Sequence, residues 1–345
     1  MWRKRLIVLV ILIIVAAQLP AVGQTDNSYP YRGGRFAQLV TESYREGKAG
    51  DQRLFFEWLD KGYRESQLCL SGEAGAGVNG LIGCEKQELA SISDASKKAD
   101  AEIALGARLH KLVKAIIPKF SLERGFEFYN TEKHGERQCF LQSVLIAALL
   151  QDMGVNAGVA MVCKNSRGEE TNNGHAVVLM KLSDGRDIIV DASEPQPFAH
   201  QQGLLVALND YQYVEPVYEA GSYRIQEYTS ASGGKTLATA DVAPLDYDFI
   251  RSQFYYYRGE RAVGGVLSKN KTKAGLQLSE RHLRTSVTIC PRNPLALYML
   301  GKTYLAEGNA KQARDTFQRA RKLYSQFGWV PQSLWDPHAV GRTAS

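Results

Sequence analysis

Two kinds of hydrophobic pattern alternate along the chain and together predict an α+β protein. Apolar residues three or four positions apart predict helices, and short apolar runs bounded by turn residues predict strands. The predicted helices cover 36–66, 88–117 and 139–153, and helical periodicity returns from 247 onward. The predicted strands cover 157–164, 175–182 and 187–192. The predicted order is a group of helices, then one helix with strands, then helices again. This order is expected of an α+β fold.

Changes in composition divide the chain into six predicted segments. They are a signal peptide (1–23), an N-terminal helical region (24–119), a core of helix and strands (120–228), a linker (229–246), a second helical region (247–330) and a tail (331–345). The linker is predicted because this segment is rich in Ser, Gly, Thr and Ala. Residues 71–83 are rich in glycine and are expected to hold no regular element.

The first 23 residues have the pattern of a secretory signal. Three basic residues precede the unbroken apolar run Leu6–Ala17, and Pro20 precedes the small-residue cleavage pattern Ala21-Val22-Gly23. This apolar run is shorter than the roughly 20 residues that span a bilayer. We therefore expect an exported protein, periplasmic or secreted, and an uncleaved membrane anchor is the alternative.

Composition and charge exclude several classes of protein. The 345 residues are 44% hydrophobic and 23% charged, which is typical of globular chains and excludes disordered, collagen-like and polytopic membrane proteins. The formal charge of +6 falls to +3 without the signal, because that segment contains three basic and no acidic residues. So small an excess, with no basic cluster, predicts no nucleic-acid partner.

The cysteines suggest one structural crosslink. Five cysteines are too few for a disulfide scaffold. Cys69 and Cys84 flank the glycine-rich loop, and in an exported protein we expect them to close it as a disulfide, worth about 3 kcal/mol on the chain-entropy model. Two free, buried cysteines are the alternative.

The residues with the most chemical information are Cys139, His175 and Asp191. Cys139 begins the most apolar predicted helix, where unpaired backbone N–H groups and the helix dipole favour a thiolate. His175 opens the second strand and Asp191 ends the third. A thiolate beside an imidazole is the working form of a cysteine nucleophile.

The hairpin between those strands can be paired in two registers. With a two-residue turn, the residue numbers of each cross-strand pair sum to 369, and His175 and Asp191 lie on opposite faces of the hairpin. A three-residue loop, Ser183-Asp184-Gly185, makes them sum to 368 and places both on one face. A functional site needs the second register, so we predict it.

Three motifs resemble the transglutaminase-like superfamily of cysteine enzymes, which has a papain-like fold. They are Arg137-Gln138-Cys139-Phe140, Gly174-His175-Ala176-Val177 and Val190-Asp191-Ala192-Ser193. The order Cys, His, Asp matches the family, and the resemblance is good over about 60–75 residues. It implies a central helix packed on an antiparallel sheet. Val177 departs from the family, which has an aromatic residue at that position.

The resemblance also implies roles for these residues. Cys139 would attack an amide or ester carbonyl, His175 would transfer the proton, and Asp191 would orient the imidazole. The Cys139 backbone N–H would be one oxyanion donor, and Gln138 is the main candidate for the second, with Tyr129 and Asn130 as further candidates. No cofactor or metal ion is implied.

The C-terminal region resembles one tetratricopeptide repeat over about 30 residues. The matching positions are Leu297, Leu300, Gly301, Tyr304, Ala313, Phe317 and Ala320. A weaker copy is expected 34 residues upstream, at Val266, Leu267, Leu283 and Pro291. The repeat would serve either as a structural cap on the preceding domain, which we favour, or as a binding groove for a protein partner.

Together these patterns predict an exported cysteine protease or amidase that acts on peptide or protein amides through a thioester acyl-enzyme. One alternative is a crosslinking acyltransferase. Another is a catalytically inactive transglutaminase-like domain that acts with the repeat as a scaffold in the cell envelope.

Overall fold

The computed structural model describes residues 28–66, 68 and 75–334. The helices of this part are α1 (Gly34–Glu46), α2 (Arg53–Glu65), α3 (Gly77–Ser91), α4 (Ala95–Ile116), α5 (Phe128–His134), α6 (Cys139–Asp152), α7 (Tyr247–Glu260), α8 (Lys273–Ile289), α9 (Pro294–Ala306) and α10 (Ala310–Gln326). The strands are β1 (Lys119–Phe120), β2 (Glu136–Arg137), β3 (Asn156–Lys164), β4 (Glu170–Lys181), β5 (Asp187–Val190), β6 (Gly203–Ala207), β7 (Tyr211–Tyr218), β8 (Arg224–Ser230) and β9 (Thr236–Ala238).

Six antiparallel strands close into a barrel, so the α+β prediction is confirmed. The strand order is β5-β4-β3-β6-β7-β8-β9, and an additional pairing of β5 with β8 closes the ring. The barrel encloses its own apolar core. That core consists of Ala160, Val162, Val177, Leu179, Ile189, Leu204, Val206, Val214, Ile225, Tyr228, Leu237 and Val242.

Helix α6 packs on the outside of the barrel and is buried on all sides. The alternate residues of β4, namely Ala176, Val178 and Met180, belong to the same apolar cluster as the side chains of α6. Phe140 at the start of α6 also contacts the ring of Phe254 on α7, with the centroids 4.9 Å apart. A helix that is apolar all round is stable only in such a central position.

The β4–β5 hairpin has the predicted register. Lys181 pairs with Asp187 and Val178 with Val190, so paired numbers sum to 368. Gly185 has φ +85°, the left-handed conformation that the three-residue loop requires. The predicted register is confirmed, and it determines which side chains share a face.

Several predicted boundaries are wrong. The region 36–66 forms two helices, as does 88–117, where the Asp94 side chain caps a new helix by accepting from the Lys97 N–H at 2.8 Å. Helix α3 begins at Gly77, inside the segment expected to be irregular, because its apolar side chains pack against neighbouring helices. The segment 229–246, predicted as a linker, includes β9, which pairs with β8.

The C-terminal helices pack onto the sheet. Helices α9 and α10 form a close pair, since a side chain at Gly301 would lie within 2.8 Å of the Phe317 ring. The backbone N–H of Tyr213 on β7 donates to the Phe327 carbonyl at 2.8 Å, directly after α10. The weaker repeat unit predicted 34 residues upstream is not formed, because Val266 and Leu267 lie in the connection between α7 and α8 and not in a helix.

Two predictions lie outside the described residues. The signal at 1–23 is one of them, and the other is the disulfide, because only Cys84, which is exposed on α3, is described, whereas Cys69 is not. Among the helices of 28–66 and 75–334, none has the length and apolar character needed to cross a membrane.

Candidate active site

Cys139 is the first residue of α6, and its side chain is partly exposed. The preceding residue, Gln138, has extended backbone angles and no side-chain cap, so the first N–H groups of the helix are not covered by a capping oxygen. The sulfur therefore lies at a helix end whose partial positive charge favours an anion.

His175 and Asp191 form a direct hydrogen bond. His175 Nε2 lies 2.7 Å from Asp191 Oδ2. His175 is two residues before Val177 and Asp191 is two residues after Ile189. Val177 and Ile189 face the barrel interior, so the pair lies on that face at the end of the barrel. Since Nε2 is occupied by Asp191, Nδ1 is the nitrogen left to receive the thiol proton.

Asp191 is fully buried, and three donors surround its carboxylate. Besides His175, the Gln201 Nε2 donates to Oδ2 at 2.7 Å and the Ser193 N–H donates to Oδ1 at 2.9 Å. A buried carboxylate that accepts several hydrogen bonds is stabilised as the anion. Burial raises the pKa of Asp191, but the hydrogen bonds and the His175 charge outweigh it and hold that pKa below its usual range.

The histidine is stabilised in its protonated form. Burial, the largest influence, lowers the pKa of His175, whereas hydrogen bonds to Asp191 and Cys139 and the charges of both residues raise it to about 10. The imidazole therefore interacts with the thiol on one side and the carboxylate on the other. An imidazole between a thiol and a carboxylate is the arrangement that a cysteine nucleophile requires.

The other described cysteines have a different environment. Cys163 and Cys290 are buried, and burial raises the pKa of Cys163 to about 12 and that of Cys290 to about 11. Both therefore stay protonated near neutral pH and lack the nucleophilic form.

The three candidates for the second oxyanion donor, Gln138, Asn130 and Tyr129, have different surroundings. Gln138 is buried, and its Oε1 has no hydrogen-bond partner among the described residues. The Asn130 amide donates to the Arg124 carbonyl at 3.1 Å, and the Tyr129 ring packs on Tyr44. The unpaired Oε1 of Gln138 is an acceptor, so only the Nε2 amide of this residue would donate to an oxyanion. Within 28–66 and 75–334, no group of three or more His, Cys, Asp and Glu residues could hold a metal ion.

Sequence reasoning missed two supporting residues, Gln201 and Tyr257. Tyr257, on α7, is fully buried, and its hydroxyl donates to the Gly174 carbonyl at 2.9 Å. Gly174 directly precedes His175 and has φ +77°, so this bond fixes the backbone at the entry to the histidine. No local motif marks either residue, because each reaches the site from a distant element.

We expect Tyr257→Phe to slow alkylation of Cys139 by iodoacetamide about three- to tenfold, because an unpaired buried carbonyl costs about 1–3 kcal/mol and releases the backbone at His175. Tyr256→Phe is the matched control, since Tyr256 is equally buried but donates to Glu260 Oε1 at 2.7 Å. Both variants should lose similar stability. Equal alkylation rates in the two variants would show that Tyr257 has no role in positioning His175.

Comparisons with known proteins identify no family. No protein-family model matches the chain, and no curated protein matches it. Among solved structures it is similar to the crystal structure of menin that reveals the binding site for Mixed Lineage Leukemia (MLL) protein, with 12% sequence identity and a TM-score of 0.41. The similarity covers 84% of this chain and 61% of the menin chain.

Proposed function

We propose that this protein is an exported cysteine hydrolase of the transglutaminase-like, papain-like type, which cleaves peptide or protein amides. The observation that carries the proposal is the 2.7 Å hydrogen bond between His175 and the buried Asp191, with Cys139 near enough to the imidazole to raise the pKa of His175. Nucleophile, base and orienting carboxylate in this order are the parts that acyl transfer requires.

The reaction proceeds in two steps. The Cys139 thiolate attacks the substrate carbonyl carbon, and the resulting tetrahedral intermediate collapses to a thioester as the C–N bond breaks. The leaving amine takes its proton from the His175 imidazolium. In the second step neutral His175 removes a proton from water, the hydroxide adds to the thioester, and the acid is released as the thiolate forms again.

Hydrolysis is favoured over crosslinking because water reaches the site. Cys139 is partly exposed, and the His175 side chain is 22% exposed. An acyl-enzyme open to solvent meets about 55 M water, which an amine acceptor must outcompete through a dedicated binding site.

The oxyanion would be held by the Cys139 backbone N–H and by the Gln138 side-chain amide. Both belong to the start of α6, where the helix dipole adds to the attraction for negative charge. The departure at Val177 does not alter these contacts, because that side chain lies within the barrel core.

An activated acyl donor tests the proposal without knowledge of the natural substrate. Wild type and Cys139→Ser are incubated with the p-nitrophenyl ester of N-acetylglycine and analysed by intact-protein mass spectrometry. Cys84→Ser is the control that removes an exposed thiol. We expect an acyl adduct on Cys139 that decays to the free acid, with added butylamine capturing only a minor share.

Two other outcomes distinguish the alternative functions. Absence of acylation at Cys139 would overturn the proposal and favour the inactive scaffold. Predominant transfer to butylamine would favour the crosslinking acyltransferase. The C-terminal helices contact the sheet closely, which supports their role as a structural cap. That the helix pair α9–α10 also binds a protein partner is a proposal.

A further inference from the structure

Two cations from different elements converge on the loop that follows Asp191. Arg137 on β2 donates through NH1 to Gln142 Oε1 at 2.7 Å, and Gln142 Nε2 in turn donates to the Ala192 carbonyl at 3.3 Å. Lys114 on α4 donates through Nζ to the Glu194 carbonyl. Lys114 therefore contacts this loop directly, whereas Arg137 is linked to it through Gln142 and is also two residues before the nucleophile.

Neither cation has a carboxylate partner. Among the described residues no ion pair is formed by Arg137 or Lys114. The Arg137 Nε is buried without an acceptor. By contrast, the buried Arg258 binds both Glu127 oxygens, at 2.7 and 3.0 Å. A partly buried guanidinium without a counterion is costly, so the site favours a bound anion.

The groups facing these cations neutralise them only in part. The Asp191 carboxylate is already engaged by three donors, and Glu194 is exposed to solvent. His110 shares the Glu194 carbonyl, and burial lowers the pKa of His110, which favours its neutral form. Burial and the charge of Arg137 lower the pKa of Lys114, and the charges of Asp191 and Glu194 offset this effect only in part.

We propose that Arg137 and Lys114 form a subsite that binds a carboxylate of the substrate beside the reacting carbonyl. This inference rests on the proposed function, because it assigns the subsite to the substrate that Cys139 attacks. A planar guanidinium matches a carboxylate in shape, and the ammonium adds a second donor from another direction. The carboxylate would come from an acidic side chain or from the C-terminus of a peptide.

Two small alkylating reagents test the subsite. Iodoacetate and iodoacetamide have nearly the same shape and differ in charge, so the ratio of their rate constants at Cys139 reports the local potential and cancels changes in thiol reactivity. Rates are read at Cys139 by peptide mass spectrometry. We expect Arg137→Gln and Lys114→Gln each to lower the ratio about threefold, and the double variant about tenfold at low salt.

Lys111→Gln is the matched control, because Lys111 is an exposed lysine on the same helix. It should leave the ratio unchanged. An unchanged ratio in Arg137→Gln and Lys114→Gln, with Cys139 still reacting rapidly, would overturn the subsite and leave the enzyme proposal intact. Slow reaction of wild type with both reagents would overturn the proposed function and the subsite with it.

Two further pairs of reagents separate the two sources of carboxylate. Chloroacetyl-glycine and chloroacetyl-glycinamide compare a free C-terminus with its amide, and chloroacetyl-glutamic acid α-amide and chloroacetyl-glutamine amide compare the side chains. A preference for the acid that disappears in Arg137→Gln identifies the source. If neither acid is preferred over its amide in wild type, the subsite proposal is wrong.

Discussion

His175→Ala should slow alkylation of Cys139 by iodoacetamide about 100-fold at pH 6. An unassisted cysteine thiol is only about 0.3% thiolate at this pH, whereas a thiolate–imidazolium pair is already charged. In the wild type His175 is hydrogen-bonded to Asp191 and interacts with Cys139, so its removal leaves the sulfur without its proton acceptor. The measurement is the pseudo-first-order rate of Cys139 carbamidomethylation by peptide mass spectrometry.

His200→Ala is the control for this experiment. His200 is an exposed histidine whose ring nitrogen bonds the Ser222 carbonyl at 2.8 Å instead of a triad residue. Its variant should react like wild type. Equal rates for His175→Ala and wild type, in proteins with unchanged thermal unfolding, would mean that the imidazole does not activate the sulfur.

Asp191→Asn should lower turnover of the activated ester about 10²- to 10⁴-fold. The carboxylate stabilises the imidazolium and holds the ring by accepting from Nε2 at 2.7 Å, whereas an amide in its place cannot balance the positive charge. The amide has one oxygen in place of two, so it can still accept from Gln201 or from Ser193, but not from both. Steady-state release of p-nitrophenol measures the effect.

Asp187→Asn provides a control matched for burial and pairing. Asp187 is also fully buried and accepts from Lys181 Nζ at 2.6 Å and from the Tyr228 hydroxyl at 2.7 Å, at the opposite end of β5. It should lose as much stability as Asp191→Asn, since each change breaks a buried charge pair. A similar loss of turnover in both variants would assign the effect of Asp191 to folding alone.

The core of the site could be predicted because its geometry follows from local rules. A helix that begins at Cys139 needs only an apolar run and its boundary residues. The face shared by His175 and Asp191 needs only the length of one hairpin loop, which Gly185 specifies. The pairing that closes the barrel could not be predicted, since β5 and β8 are far apart in sequence.

The errors have a common physical cause, namely packing that overrides local propensity. Gly77, Gly80 and Gly83 discourage a helix, but the apolar residues between them gain enough from burial to form α3. The segment after β8 looks like a linker, but its backbone groups complete an edge of the sheet. Tyr257 contacts Gly174 across 83 positions, a distance over which sequence pattern carries no information.

The most direct test of the central claim is the pH titration of His175 by NMR, with its signal assigned from a His175→Gln spectrum. We expect a midpoint near pH 10 in wild type, because Asp191 and Cys139 favour the imidazolium, and a lower midpoint in Asp191→Asn and Cys139→Ser. Burial lowers the pKa of His282 to about 4, so that buried ring titrates on the opposite side of neutrality.

The same shift has a consequence for stability. Because the folded pKa of His175 lies above its unfolded value of about 6.5, its contribution to the free energy of unfolding is complete below pH 6.5 and is lost as the pH rises toward 10.

In the NMR titration, a His175 midpoint near pH 10 that falls when either neighbour is replaced is the result predicted for a charged catalytic pair. A midpoint at or below 6.5, unchanged in Cys139→Ser, would contradict it.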